Sequence, residues 1–403
     1  MAGKRRITNS NLPEEIIEEI LYNLPIQSLL RFKCVSKSWL STISSKAFIK
    51  EHLKRSIAED DKAGLTDLTH HKLLFTRKIL SRVLGTRKIL GPNRTGFSYS
   101  LGTSSLGNES NIVTPTFYDY PMPRLCFLIL GSCNGLVLMR YKYPGSFHLP
   151  LSTRRFLENV ICPCFEPPPG SFSRYVHLIR LIDCNDNLKY GLGYDESNDD
   201  YKVVCIRDTN VREPHHYETR MYSSKADSWK KIESYDKRFH SILCGKFVNG
   251  RLHWLARFDS DDSHRGTIIS LDLADEKYRT LSSNSIANFQ TGTVVEFGGY
   301  LGLLSVRRDR HLDLWVMKEY GVTESWTKIW TKSDFVDRPD LSGGPTIPVC
   351  WTKNGDIVMV RGYDVLVCNG RNILRKSRVD MIGDRIDSIV YVESLVSPFI
   401  HQE

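Results

Sequence analysis

The spacing of apolar and polar residues changes once along the chain, near residue 60. Between Leu12 and Leu53 apolar residues return every three or four positions, the period of a helix with one buried face. Ile16, Ile17, Ile20, Leu21 and Leu24 form one such face opposite Glu14, Glu15, Glu18 and Glu19, and predict a first helix. Asn11, ahead of Leu12, Pro13 and Glu14, supplies a side-chain acceptor at the cap, a proline in the first turn and carboxylates near the positive end of the helix dipole. Pro25 stops this helix. A second is expected through Ser28, Leu29, Leu30 and Phe32, a third capped by Ser36 and carrying Trp39, Leu40 and Ile43, and a fourth holding Phe48, Ile49 and Leu53. Four helices in roughly 45 residues bury little area alone. Some of their apolar residues are surplus to such a core, and two uses stay open: a docking face for another protein, or packing against the rest of the chain.

After residue 60 the pattern becomes short apolar runs separated by turn residues. Asn134-Gly135, Asn249-Gly250 and Asn354-Gly355 each sit between two such runs, and Asn-Gly supplies the positive φ values that a two-residue hairpin demands. Gly298-Gly299 predicts a fourth hairpin. Further paired runs end in an aromatic residue, and Trp229, Tyr278 and Trp326 recur at steps of 49 and 48 residues. Four short strands per period of that length is the signature of propeller blades, and the region has room for about six. The fold class is therefore α+β multidomain: a small N-terminal helical unit followed by an all-β, propeller-like domain. Residues 1–10 are expected to be a disordered basic N-terminus and 11–55 the helical domain. Residues 56–124 are read as the first strands and a long surface loop of the β domain, with the loop at Thr103 to Ser110, and 125–398 as the propeller proper.

Composition narrows the class without naming a chemistry. With 41% hydrophobic and 25% charged residues, the 403-residue chain resembles an ordinary soluble protein with a sizeable core. The first ten residues carry Lys4, Arg5 and Arg6 but no apolar segment follows, which argues against a signal peptide. The most apolar window, Leu125 to Met139, is too short to span a bilayer and is broken by Ser132, Asn134 and Gly135, so no membrane association is expected. Ten cysteines scattered mostly singly through apolar runs fit free thiols in a reducing compartment, cytoplasmic or nuclear. A formal charge of +9 permits an acidic partner but selects none.

The stretch LPEEIIEEILYNLPIQSLLRFKCVSKSWLSTISSKAFIKEHL, Leu12 to Leu53, closely resembles an F-box. The resemblance rests on Leu12-Pro13, Ile20-Leu21, Leu24-Pro25, Leu29-Leu30, Phe32, Cys34 to Lys37 and Trp39. It implies binding to a Skp-type adaptor and, through it, to the cullin and RING subunits of an SCF-type ubiquitin ligase, with this chain choosing an unknown target protein. By family analogy the adaptor-facing residues are drawn from Leu12, Pro13, Ile16, Ile20, Leu24, Pro25, Leu29, Phe32, Val35 and Trp39, some of which must instead be core. Residues 125 to 398 resemble the F-box-associated, kelch-related domain of plant F-box proteins, on GSCNGLVLM, STRRF, YGLGYDESNDDYKVVCI, FVNGRLHWLA and YVESLVSP among other segments. One departure is His148-Leu149-Pro150-Leu151, where the family usually has a tryptophan-containing WNP.

Candidate catalytic and metal sites are weak. Gly131-Ser132-Cys133-Asn134-Gly135 has the spacing of a nucleophile elbow, but a strand follows it where the elbow needs a helix, so Cys133 is read as structural. Cys162, Cys164, His148, His70-His71 and His215-His216 lack the paired spacing of a zinc site, so neither metal nor cofactor is expected. Residues 71 to 90 repeat Thr-Arg-Lys-Ile-Leu; a nuclear-import or nucleic-acid patch, a basic amphipathic element and a strand pair or helix with solvated charges compete, and the last is preferred. Nucleic acid is not an expected partner. Trp229, Trp254, Trp315, Trp326, Trp330 and Trp351 are expected between blades. No residue is assigned to target binding. The leading reading is a non-catalytic substrate receptor. The alternative is a stand-alone propeller module or hydrolase with the helices as a structural cap, using carboxylates such as Asp195, Glu196, Asp199 and Asp200.

Overall fold

The computed structural model describes residues 12–62, 71–81, 96–105, 112–113, 116–118, 126–142, 158–163, 177–180, 188–208, 217–236, 239–240, 244–258, 266–281, 289–307, 309, 311–332, 346–351, 355–361, 364–369, 372–379 and 384–397. Four helices come first: α1 (Glu14–Tyr22), α2 (Ile26–Phe32), α3 (Lys37–Ser44) and α4 (Lys46–Lys62). The first two begin directly after a proline. Pro13 itself occupies the cap of α1 with no side-chain cap, and not the first turn as its sequence setting suggested; Asn11 lies outside the described residues. Pro25 likewise caps α2, while α1 ends earlier, at Tyr22. Ser36 caps α3 as expected, its hydroxyl accepting from the Trp39 amide at 3.1 Å, and Ser45 accepts from Phe48 N at 3.2 Å at the start of α4.

The described strands form six sheets. Blade 2 comprises Cys126–Cys133, Leu136–Lys142, Glu158–Pro163 and His177–Arg180; blade 3, Lys189–Asp195, Asp200–Asp208, Tyr217–Ser223 and Ser228–Ile232. Blade 4 holds Lys246–Val248, Arg251–Phe258, Thr267–Asp272 and Tyr278–Leu281, and blade 5 holds Phe289–Phe297, Tyr300–Arg307, Leu312–Met317 and Trp326–Lys332. Blade 6 is Thr346–Trp351, Ile357–Arg361, Asp364–Asn369 and Asn372–Val379, with Ile112–Val113 added in parallel at its outer edge. Within each blade successive strands run antiparallel, as short turns require. The Asn134-Gly135, Asn249-Gly250 and Gly298-Gly299 turns have positive φ at both positions. Another antiparallel pair in blade 6 sets Asn369 opposite Asn372.

Blade 1 joins the two ends of the chain: Asp384–Val392 pairs with His71–Ser81, which pairs with Gly96–Ser105 and then Thr116–Tyr118. The last strand thus closes the ring against the first. This also corrects the expected loop at 103 to 110, because Thr103, Ser104 and Ser105 are strand residues paired with Leu74, Leu73 and Lys72; residues 106 to 110 lie outside the described residues. The basic segment begins as a strand, His71–Ser81, and its second Thr-Arg-Lys-Ile-Leu copy lies outside the described residues.

Apolar cores lie between successive blades. Leu138, Leu192 and Val203 join blades 2 and 3; Ile206, Met221, Leu252 and Leu271 join 3 and 4. Ile268 and Leu303 join 4 and 5, and Leu314 and Met359 join 5 and 6. The six tryptophans pack into these layers as expected: Trp229, Trp254, Trp315 with Trp326, and Trp330 with Trp351 in turn. Polar links cross the same layers. The Lys202 ammonium, buried in blade 3, donates to Asp195 at 2.7 Å and to the Leu273 carbonyl beside blade 4 at 2.6 Å. Burial pushes the Asp195 carboxyl up, but hydrogen bonds from Lys202 and Asn198 outweigh this and hold it below its ordinary value. His253 in blade 4 meets the Tyr320 hydroxyl at 2.8 Å, and its burial lowers the imidazole to about 4, so the ring is neutral at neutral pH.

Removing one member of a buried pair leaves an uncompensated charge. Lys202→Met is therefore expected to destabilise the propeller by about 3–5 kcal/mol, read as a lower urea midpoint; a midpoint equal to wild type would show that the pair is dispensable.

Candidate adaptor-docking site

The apolar residues of α1 divide between two faces. Leu21 is fully buried, with Ile17 and Leu24 packed partly against the same cluster, whereas Ile16 and Ile20 point outward at 48% and 49% exposure. The single broad face expected from sequence is thus two stripes. Positions one residue apart are separated by about 100° around a helix, and so small a bundle covers only one of the two stripes. Leu12, one turn before Ile16, continues the outer stripe at 56% exposure. Val35, in the turn between α2 and α3, is 59% exposed, and Leu40 on α3 is also open. Of the eight large exposed apolar residues among the described ones, five therefore lie between residues 12 and 40, a concentration that makes this face the candidate docking surface.

The remaining expected contact residues sort by burial. Pro13 and Pro25 are exposed. Leu24, Phe32 and Trp39 are half-buried, and the Phe32 and Trp39 rings meet edge-on with centroids 5.3 Å apart. Leu29 is the exception: it is completely buried with Leu21, Ile26, Ile43 and Phe48, and serves the internal core. Leu40 joins the exposed residues although it was not among the expected contacts, because it lies on a helix whose Ile43 is buried.

Helix α4 supports this surface and fixes it to the propeller. Phe48 stacks on Tyr22 at 4.5 Å, His52 Nε2 lies 2.9 Å from the Leu24 carbonyl, and Arg55 pairs with Glu19 at 2.7 Å while covering the Tyr22 ring. On its other side, Ile49, Leu53 and Ile57 pack with Leu130, Leu136 and Tyr201 of blades 2 and 3. Lys50 and Lys46 reach Asp199 at 2.8 and 3.5 Å, in the first turn of blade 3. Hydrogen bonds from Lys50 and Tyr194 lower the Asp199 carboxyl to about 2. The helices thus pack on the C-terminal domain through α4, while the exposed apolar stripe lies on a different side of the same small bundle.

Five inner strands, together with Ile57 of α4, line a cavity of about 270 Å³ on the propeller axis. Its walls are largely apolar, from Phe247, Val295, Val349 and Ile389, with Lys246 and Glu296 as its charged members. Cys133, at its edge, is buried at the end of a strand, and desolvation pushes its thiol far up. The carboxylates of the blade 3 turn are occupied by structure: Asp195 holds Lys202 and Asn198, Asp199 holds Lys50 and Tyr194, and Asp200 accepts from Ser224 and Lys225. Glu196 is solvent-exposed. Among the metal candidates, His70, His148, Cys164, His215 and His216, like His148 to Leu151 as a segment, lie outside the described residues.

Helical surface and six-bladed ring together define an F-box joined to a propeller. A family model described as the F-box domain matches residues 9–51, and one described as the F-box associated beta propeller domain matches residues 105–384. The chain belongs to the F-box-associated beta-propeller family of F-box proteins. F-box/kelch-repeat protein At3g23880 of Arabidopsis thaliana is 28% identical over 96% of this chain and 96% of its own length. F-box protein CPR1 of the same plant is 26% identical over 80% of this chain and 73% of its own, and F-box protein At3g07870 is 27% identical over 89% and 84%. Among solved structures, the beta-propeller domain of the Trilobed protease from Pyrococcus furiosus is similar at 11% identity and a TM-score of 0.37, covering 70% of this chain and 76% of that one. No described helix is long and apolar enough to cross a membrane.

Two outcomes separate core from surface. Leu29→Ala should cost about 2–5 kcal/mol of stability, whereas Ile16→Ala should stay within about 0.5 kcal/mol, both measured by urea unfolding. Because the folded Asp199 carboxyl lies below its ordinary 3.8, its pairing stabilises the protein fully above that pH and is lost as pH falls toward about 2. The stability difference between wild type and Asp199→Asn should accordingly be constant near neutrality and close between those values; a difference that grows on acidification would contradict the pairing.

Proposed function

We propose that this protein is the substrate-recognition subunit of an SCF-type cullin-RING ubiquitin ligase. The outward stripe of Leu12, Ile16 and Ile20, with Pro13, Pro25 and Val35, docks on a Skp-type adaptor, while Leu24, Phe32 and Trp39 line its margin and Leu29 holds it from beneath. The propeller binds the target protein, and the adaptor links the assembly to cullin and RING subunits. The concentration of exposed apolar side chains on a domain matched by the F-box family is the observation that carries this reading.

No residue of the chain performs bond chemistry in this account. Its contribution is proximity: a target lysine held beside the ubiquitin thioester reacts at a high effective concentration, and the orientation is set by packing. The α4 contacts suit that role, since they join the docking surface to blades 2 and 3 without a free linker. Among the described residues Cys34, Cys133 and Cys368 are free thiols, which favours a cytoplasmic or nuclear site of action.

Ile16→Asp combined with Ile20→Asp places charge on the outer stripe and leaves the core untouched. The double variant should lose capture of a purified Skp-type adaptor by at least about a hundredfold in Kd with its circular dichroism unchanged. Capture equal to wild type would overturn the proposed docking surface.

A further inference from the structure

The apolar core of the helical domain is completed by the other end of the chain. Its own helices contribute Leu21, Ile26, Leu29, Ile43 and Phe48, and Leu395 joins them as the sixth buried member. Leu395 stands three residues beyond the ring-closing strand Asp384–Val392, so the chain passes from the innermost position of blade 1 directly into the F-box.

The path between them is built. The Ser394 hydroxyl, 1% exposed with its residue, donates to the Asn134 carbonyl at 2.7 Å in the first turn of blade 2. It also accepts from the Val396 amide at 3.3 Å. Gly135 makes room: a Cβ there would lie 2.1 Å from the Ser394 hydroxyl oxygen and 2.8 Å from the Val392 carbonyl, and the residue sits at φ +83. Leu395 and Val396 then enter different cores, the former among α1 to α4 and the latter among Leu130, Leu136 and Tyr201 of the propeller. Adjacent side chains thus stitch the two domains from a single segment.

We infer that Leu395 is a positioning residue for the adaptor-docking surface: seated by Ser394, it holds α1 to α3 in the arrangement that presents Leu12, Ile16 and Ile20. The inference rests on the docking role proposed above. A domain with so few buried residues loses a large share of its core when one is withdrawn. Adaptor binding is therefore coupled to ring closure, because the strand that closes the propeller is the one that delivers Leu395.

The test uses the full chain with Leu395→Ala, Leu395→Met and Leu314→Ala. Leu314 is completely buried between blades 5 and 6, so its truncation removes the same atoms from a core remote from α1 to α3. Two readouts are taken: Kd for a purified Skp-type adaptor, and amide hydrogen exchange in residues 14 to 44 and in the inner propeller strands. Leu395→Ala should raise both Kd and exchange in α1 to α3 by at least about tenfold while the inner strands of blades 3 to 5 keep their protection. Leu395→Met should restore both, and Leu314→Ala should change neither. Wild-type affinity in Leu395→Ala, unaltered exchange in its helices, or an equal loss in Leu314→Ala would each overturn the inference. If wild type itself fails to bind the adaptor, the docking role falls, whereas the exchange data still judge whether Leu395 holds the helices.

Discussion

Closure of the ring by its last strand is the constraint on which the remaining architecture depends. A propeller made of successive blades has two ends, and the pairing of Asp384–Val392 with His71–Ser81 removes both at once. The same strand places Val390 and Val392 beside the Ser132 to Gly135 turn of blade 2, where Ser132 donates to the Val390 carbonyl at 3.0 Å. From there the chain runs into the helical core. Non-local pairing of this kind costs loop-closure entropy that the contacts of blade 1 must offset.

The helical domain shows how a small unit serves two masters. Its inner stripe is claimed by its own core and Leu395, and the far side of α4 by blades 2 and 3. What is left is the outer stripe of α1 with the α2 to α3 turn, and these remain apolar although about half of their side-chain surface is open. A side chain such as Ile20 at 49% exposure lowers its free energy when covered, at about 25 cal/mol per Å² of apolar surface. Internal packing and an exposed apolar stripe are thus complementary outcomes of one composition.

Local rules made much of this visible in the sequence. Ser36 as a cap, the helical period of α1 and the positive-φ turns at Asn134-Gly135, Asn249-Gly250 and Gly298-Gly299 are each set within a few residues, and each appeared where expected. The repeated four-stranded blades followed from the 49- and 48-residue steps of Trp229, Tyr278 and Trp326. Other features depend on partners far along the chain. Whether Leu29 or Ile16 faces the core is decided by how four helices meet, and their apolar spacing alone treats them alike. Thr103 to Ser105 read as loop because strand pairing with Lys72 to Leu74 overrides their weak apolar pattern. The YVESLVSP segment that holds Leu395 was legible as part of the β domain, but its packing into the helical core, more than 350 residues away from α2, was not.

The central claim is that the exposed stripe of residues 12 to 40 is the surface that joins this protein to a ligase adaptor. The most direct measurement is hydrogen exchange of the full chain with and without a saturating, purified Skp-type adaptor. The account predicts new protection confined to α1, the α2 to α3 turn and α3, with the inner propeller strands unchanged. Protection that appears on the blades in place of these helices, or no protection anywhere, would contradict it.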